Sequence, residues 1–211
     1  MLKTYSQLSS ENFNKLVDGA EILEQDSFGP KVYRLANGEI LKLFRRKRLL
    51  SSALLRPHSL RFTENAQELA AMGIPTLNPL RLYRLHDPER TAVLYQPLPG
   101  VTLSHLLRES PEQWPTMLPT LASFINFLHE RGVYFRSLHL GNIVQTPAGE
   151  LGLIDVADLR MRRRALNSAL IERNREHFEK YIRKERLDLD IARLWEACER
   201  LKRQGSEGIQ A

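Results

Sequence analysis

Cysteine is almost absent from this chain of 211 residues, in which Cys198 is the only one. A single cysteine excludes an internal disulfide and a zinc site built from several cysteines. Cys198 follows Leu194 and Trp195 at helical spacing, and Leu201 comes one turn later. This apolar setting predicts a buried, structural thiol and disfavours a reactive one.

Long apolar runs, internal repeats and low-complexity segments are also missing. No stretch approaches the ~20 consecutive apolar residues of a membrane-spanning helix. Residues 1–8 hold no apolar run after a basic segment, so no signal peptide is predicted. These absences predict a cytoplasmic protein, with a peripheral position at a membrane as the alternative.

The composition is that of an ordinary globular protein, with 42% hydrophobic and 27% charged residues. It excludes a disordered or fibrous chain. Lysine and arginine number 31 against 25 aspartates and glutamates, which leaves a net charge of +6. Such a surplus favours anionic partners, which include nucleotide phosphates, nucleic acid and an acidic membrane surface, but it does not choose among them.

Two basic runs stand out, at residues 45–48 and 160–164. The first is interpreted as a solvated loop or helix start, with a phosphate-binding patch as the alternative. The second needs no function as a solvated helix start, but it would also suit a phosphorylated sugar or a lipid headgroup. Nucleic acid is not an expected partner, because no known binding module is present and acidic residues interleave with the basic ones.

Proline and glycine divide the chain into two parts. Short stretches typical of strands come first, and Asn37-Gly38 is a hairpin turn signal. Pro97, Pro99 and Gly100 then break the pattern and predict a boundary between lobes. The predicted strands are 31–35, 40–44, 80–83, 91–95, 143–144 and 151–154, and the predicted helices are 62–72, 103–107, 117–131, 163–183 and 188–203.

The stretch that carries chemistry runs from residue 133 to residue 158. An apolar helix ends near Gly132, a polar loop containing Asn142 follows, and a hairpin leads to Asp155 directly after an apolar strand. One tight hairpin can bring Asn142 and Asp155 together. Mg²⁺ takes hard oxygen ligands, few of them from protein and the rest from water and phosphate. The sequence therefore predicts a magnesium site at Asn142 and Asp155.

The loop Leu138-His139-Leu140-Gly141-Asn142-Ile143 resembles the catalytic loop of the protein-kinase-like fold, and Asp155 resembles the metal-binding aspartate that follows it. The nearer resemblance is to small bacterial kinases whose loop reads H-G-D-L-H-x-G-N-I. Among these, the chain is most similar to the lipopolysaccharide-core (Kdo/heptose) kinase-like and toluene-tolerance-type proteins of Gram-negative bacteria. The resemblance covers about residues 26–160.

This resemblance implies an α+β fold with two lobes. The N-lobe, residues 1–97, would hold a small antiparallel sheet and one helix, and would bind the nucleotide. The C-lobe, residues 98–211, would be shortened and mostly helical. It would carry the catalytic-type loop, residues 134–144, and the metal aspartate, Asp155.

The resemblance also assigns nucleotide-binding residues. Lys42 lies inside an apolar strand and would hold the α- and β-phosphates of ATP, since a buried lysine is costly unless it is paired. Its partner would be Glu64, with Glu68 as the rival, unless Lys42 snorkels from an edge strand. Gln96 belongs to the hinge that would meet adenine, and Gly29 is the one glycine of a poorly represented glycine-rich loop.

Ser137 is the main departure from the family pattern, because it occupies the position of the catalytic aspartate. Serine is a poor base near neutral pH, and general-base help is worth roughly 10²–10⁴-fold in rate. His139 could substitute as the base, with a packing role as the alternative. Arg136 would add positive charge near the γ-phosphate or the acceptor. Asp158 is interpreted as a helix N-cap or, alternatively, as a second metal ligand.

Three functions are compatible with this pattern. The first is an ATP- and Mg²⁺-dependent phosphotransferase whose acceptor, by resemblance, is a sugar hydroxyl of the lipopolysaccharide core, met at the cytoplasmic face of the inner membrane. The second is a pseudokinase that binds nucleotide or a partner protein without transferring phosphate. The third is an interaction domain that has kept only the fold, which the presence of Lys42, Asn142 and Asp155 disfavours.

Overall fold

The structure, a computed structural model, describes residues 2–45, 57–86 and 90–207, with the backbone alone at 205–207. The fold is α+β, as expected. The chain divides into two compact units, a first unit of Met1–Leu98 with Asp155–Asp158 and a second unit of Pro99–Ile154 with Leu159–Ala211. The sequence placed the boundary one residue earlier and assigned Asp155 to the other part.

The first unit is built on one six-stranded sheet with the spatial order β1-β5-β6-β4-β3-β2. Five strands pair antiparallel, but β1 lies parallel to β5, so the sheet is mixed and larger than the small antiparallel sheet that was expected. The strands are Tyr5–Leu8 (β1), Glu21–Asp26 (β2), Gly29–Arg34 (β3), Ile40–Arg45 (β4), Asn78–Leu85 (β5) and Arg90–Gln96 (β6).

The hairpin of β3 and β4 forms at the predicted turn. Gly38 adopts a φ of 84°, a left-handed conformation that glycine reaches without a steric penalty. The Glu39 carbonyl accepts from the Leu35 N–H at 2.8 Å and closes the turn. Because β4 lies between β3 and β6, residues 40–43 are buried on both faces, and Lys42 is buried with them.

Among the described residues of the first unit there are two α-helices, where the sequence predicted one. Ser10–Val17 (α1) was missed; the Ser9 hydroxyl caps it by accepting from the Asn12 N–H. His58–Ala71 (α2) begins four residues before its predicted start and buries Phe62, Ala66 and Leu69, the face that the helical spacing indicated. It ends as predicted at Gly73, which has a φ of 76°.

The second unit is mostly helical. The apolar face predicted around Leu121, Ile125 and Leu128 is confirmed, because all three are buried and the helix that carries them packs on the last helix of the chain. The helices are Leu103–Glu109 (α3), Trp114–Glu130 (α4), Ser168–Glu185 (α5) and Ile191–Glu207 (α6). The strands are Val101–Thr102 (β7), Val133–Phe135 (β8), Ile143–Gln145 (β9), Leu151–Leu153 (β10) and Leu159–Met161 (β11).

Three expectations about residues 158–198 can be compared with the structure. α5 begins at Ser168, five residues later than predicted, because Asn167 caps it and residues 159–161 form β11 instead. Asp158 is therefore not a helix N-cap; it ends the short 3-10 helix Val156–Asp158 and a strand follows. The prediction of a buried thiol at Cys198 is confirmed.

Most of the basic run at 45–48 lies outside the described residues. Among the helices that the structure does describe, none has the length and apolar character needed to cross a membrane.

Candidate functional site

Lys42 is a buried charged residue at the centre of the candidate site in the first unit. Its ammonium lies 2.5 Å from Oδ1 of Asp155, and its side chain is only 8% exposed. The rings of Phe62 and Phe44 approach the ammonium to 5.6 and 5.9 Å from their centroids. The aromatic faces and the carboxylate together offset the cost of taking this cation out of water.

Asp155 has the opposite surroundings. Its side chain is 49% exposed, so a ligand can reach the carboxylate. Its backbone lies in the left-handed region with a φ of 52°. Aspartate tolerates this conformation better than most residues, but it remains strained, and such strain is concentrated at functional sites.

Asn65 of α2 anchors the backbone next to Asp155. Its Nδ2 donates to the Val156 carbonyl at 2.6 Å, and the asparagine is buried. Sequence reasoning missed this residue. The signal was a polar side chain between Phe62 and Ala66 on the buried face of the helix.

The carboxylate that pairs with Lys42 is Asp155, a correction to the expected Glu64 and to its rival Glu68. Both glutamates lie half-buried on α2. The sequence could not foresee this pairing because it depends on where the 3-10 helix after Asp155 packs against α2. A direct role of Glu64 in nucleotide binding stays a prediction.

The turn between β2 and β3, expected to be the glycine-rich loop, is held from β4. The Arg45 guanidinium bonds Asp26 Oδ1 at 2.5 Å and the Phe28 carbonyl at 2.9 Å. The Phe28 N–H bonds the Asp26 carboxylate, and this bond, followed by the arginine, lowers the pKa of Asp26. Gly29 has a φ of 102° with open space around it. The side chain of Arg45 therefore holds this turn in place. A turn with more glycines would depend more on a bound ligand to fix its conformation.

The expected hinge begins at the end of β6. Gln96 is exposed, and its Oε1 accepts from Asn78 Nδ2 at 3.0 Å. The neighbouring Tyr95 packs against Phe62, with 5.4 Å between ring centroids. Burial raises the pKa of Tyr95, and the charge of Asp155 adds to the shift. Tyr95 therefore stays neutral beside the candidate site at physiological pH.

The catalytic-type loop lies in the second unit, and Asn142 organises it. Asn142 Nδ2 donates to the Ser137 carbonyl at 2.9 Å and lies 3.3 Å from Nε2 of His139. The Asn142 N–H also bonds the His139 carbonyl, and the Asn142 carbonyl accepts from the Ile154 N–H. Ser137, His139 and Asn142 are half-buried, whereas Arg136 is exposed directly after β8.

The donor set fits a magnesium ion better than a transition metal. Within residues 2–45, 57–86 and 90–207, no group of three or more His, Cys, Asp or Glu side chains is placed to hold a metal. Mg²⁺ needs only one or two protein oxygens and completes its shell with water and phosphate. The exposed carboxylate of Asp155 can supply one such oxygen.

Comparison with known proteins adds no assignment. A scan against models of protein families finds none that matches the chain, and a search of curated proteins finds no match.

Proposed function

We propose that the chain is an ATP- and Mg²⁺-dependent phosphotransferase of kinase-like, two-lobed fold that acts on a sugar hydroxyl of the lipopolysaccharide core. The observation that carries this proposal is the ion pair of buried Lys42 with exposed Asp155. A lysine in an apolar strand suits phosphate oxygens, and a solvent-accessible carboxylate suits a metal ion that travels with those phosphates.

In this proposal the phosphates of bound ATP would replace Asp155 as the ion-pair partner of the Lys42 ammonium. The Asp155 carboxylate would then be available to bind the metal ion. By resemblance, Asn142 would bind the same metal ion and Gln96 would contact adenine. Gly29 and Glu64 would lie near the phosphates. The bound Mg²⁺ would neutralise charge that develops on the phosphates. Each residue would then either position the phosphates or neutralise their charge. These two effects lower most of the barrier to phosphoryl transfer.

The transfer step itself is simple to balance. The acceptor oxygen forms a bond to the γ-phosphorus, the bond from that phosphorus to the bridging oxygen breaks, and ADP leaves with the electron pair. The acceptor proton would pass to water, since Ser137 is a poor base and Nε2 of His139 faces the Asn142 amide nitrogen. Arg136 would supply positive charge near the transferred group. The expected consequence of Ser137 is a slow reaction.

The acceptor is proposed to be anionic because the second unit exposes uncompensated positive charge. Arg160, Arg162, Arg163 and Arg164 are exposed, and within the described part of the chain none of their guanidinium groups forms an ion pair. Arginine recognises phosphate groups well through its fork of donors. A phosphorylated core sugar, or the anionic face of the inner membrane where it resides, matches this charge.

Calorimetric titration of the purified chain with ATP, with and without Mg²⁺, tests the proposal. We expect Mg²⁺-dependent binding that weakens at least tenfold in Asp155→Asn and in Lys42→Met. Groups that surround a bound metal ion typically contribute that much to its affinity. Asp188→Asn and Lys180→Met, at exposed positions of the second unit, are the matched controls and should bind like the wild type. Absence of binding at millimolar ATP would overturn the proposed function.

A pseudokinase is the second candidate, and Ser137 is the observation that favours it. The comparison of wild type with Ser137→Asp separates the two candidates, using core sugars as acceptors and ATP labelled at the γ-phosphate. Transfer by the wild type that rises roughly 10²-fold in Ser137→Asp supports a slow enzyme. Nucleotide binding without transfer in either protein supports the pseudokinase.

A further inference from the structure

Tyr181 of α5 lies flat against the imidazole of His139. The two ring centroids are 3.9 Å apart and the ring planes differ by only 3°, so the rings are fully stacked. Both side chains are half-buried. A stack this close restricts rotation of the imidazole about its own side-chain bonds. Nothing in the sequence pattern pointed to Tyr181, because α5 follows the catalytic-type loop by more than twenty residues.

Gly141 explains how the tyrosine reaches this position. A Cβ at Gly141 would collide with the Tyr181 hydroxyl and would lie 3.0 Å from its Cζ and 3.3 Å from Nδ1 of His139. Gly141 is not among the glycines with a positive φ, so its backbone conformation does not require glycine. Glycine is therefore needed at position 141 because a side chain there would occupy the space of the Tyr181 ring.

The hydrogen bonds of Asn142 define the orientation of its amide. The Ser137 carbonyl can only accept, so the amide nitrogen of Asn142 must face it, at 2.9 Å. The same nitrogen lies 3.3 Å from Nε2 of His139, which must then accept as well. With the nitrogen held on two acceptors, the amide oxygen of Asn142 points away from both.

We propose that Tyr181 is a positioning residue for the metal–nucleotide site, an inference that rests on the proposed function. Its ring holds the imidazole of His139, and His139 with the Ser137 carbonyl holds the Asn142 amide so that its oxygen is presented to the divalent cation. His139 thereby takes the packing and hydrogen-bonding role, because its Nε2 is occupied by Asn142. This arrangement gives the last part of the chain a function in the site.

The test compares Tyr181→Phe, which keeps the stacked ring, with Tyr181→Leu, which removes it. In the free protein, the ring resonances of His139 and the side-chain amide resonances of Asn142 are followed by NMR. We expect both sets to shift in Tyr181→Leu and to stay near the wild-type positions in Tyr181→Phe. The affinity for ATP with Mg²⁺ should fall roughly 10–100-fold in Tyr181→Leu alone, while binding without Mg²⁺ is unchanged.

Phe178→Leu is the control for a merely structural effect. Phe178 lies on the same helix, is fully buried and packs against Trp195, so its truncation should destabilise the unit. It should lower the melting temperature but leave the Asn142 amide resonances and the Mg²⁺-dependent part of ATP binding unchanged. Equal effects of Phe178→Leu and Tyr181→Leu on Mg²⁺-dependent binding would overturn the inference.

Other outcomes also decide the question. Unshifted Asn142 resonances in Tyr181→Leu, or a loss in Tyr181→Phe as large as in Tyr181→Leu, overturn the stacking role. Gly141→Ala should destabilise the wild type more than it destabilises the Tyr181→Leu protein, and equal costs would also count against it. If the wild type binds no ATP with Mg²⁺, the proposed function fails, while the free-protein spectra still decide whether Tyr181 positions Asn142.

Discussion

The Lys42 ammonium lies 2.5 Å from Asp155 Oδ1, yet the two members of this pair have opposite surroundings. Lys42 is 8% exposed in its side chain and Asp155 is 49% exposed. Loss of the aspartate would leave an unpaired cation among aromatic rings. Loss of the lysine would leave a carboxylate that water can already reach. The free-energy consequences of the two changes must therefore differ.

Stability measurements can detect this asymmetry. We expect Asp155→Asn to lower the free energy of unfolding by about 2 kcal/mol, since an unpaired buried charge is strongly unfavourable. Lys42→Met should cost less than about 1 kcal/mol, because methionine fills the same apolar space. The double variant should be as stable as Lys42→Met. Urea unfolding at neutral pH checks all three, and equal costs for the single variants would contradict the asymmetry.

Acid should destabilise the second unit through His129. Burial lowers the pKa of His129 to about 4 from an ordinary value of 6.5, and the nearby charge of Lys202 lowers it further, while the bond to Asn174 opposes the shift. The unfolded chain thus binds a proton between pH 6.5 and 4 that the folded chain does not. Stability must fall as the pH drops through this window, by about 3 kcal/mol at most from this group.

Unfolding by urea at several pH values between 4 and 7 measures this slope. His129→Gln should flatten it, because the group that takes up the proton only on unfolding has been removed. His105→Gln, at an exposed position, should leave it as in the wild type. A slope that persists unchanged in His129→Gln would assign the acid sensitivity to other groups.

Gly132 should resist substitution far more than Gly149, although both are left-handed, with φ of 73° and 84°. A Cβ at Gly132 would lie 2.5 Å from the Arg162 carbonyl oxygen and 2.6 Å from that of Arg164, whereas Gly149 has open space. Gly149→Ala should cost about 1 kcal/mol from backbone strain alone. Gly132→Ala should cost about 3 kcal/mol, because steric overlap with the backbone is added. Denaturant unfolding of the two variants measures the difference.

Cys198 should react with an aromatic disulfide reagent only when the second unit opens. Its burial raises the pKa of the thiol to about 11, so very little thiolate exists at neutral pH, and the reagent cannot reach the sulfur. We expect labelling in urea at a stoichiometry of one and almost none in the native protein over the same time. Rapid labelling of the native protein would contradict the burial.

Much of the fold could be predicted from local sequence patterns. The turn at Asn37-Gly38, the apolar face of α4 and the end of α2 at Gly73 were predicted because each depends on neighbours in the sequence. The elements before residue 27 were missed. β1 lies parallel to β5, and β2 is exposed along its whole length, so neither strand has the alternating pattern that marks a half-buried strand.

The candidate site divides in the same way. Lys42, Asn142 and Asp155 were chosen as candidate residues from the sequence, because a lysine in an apolar strand and polar residues after apolar strands are local signals. Their roles in binding stay predictions. The partner of Lys42, the anchoring role of Asn65 and the stack of Tyr181 on His139 were not. Each joins residues that are far apart along the chain, so no spacing in the sequence records it.

The sequence by itself determined the mixture of strands and helices and the burial of Cys198, because local hydrophobic periodicity decides these. Only the tertiary structure decided which carboxylate faces Lys42 and which ring covers His139. Such contacts arise when separate elements pack together, and the free energy of burying a charge or fitting a ring depends on that packing rather than on the order of residues.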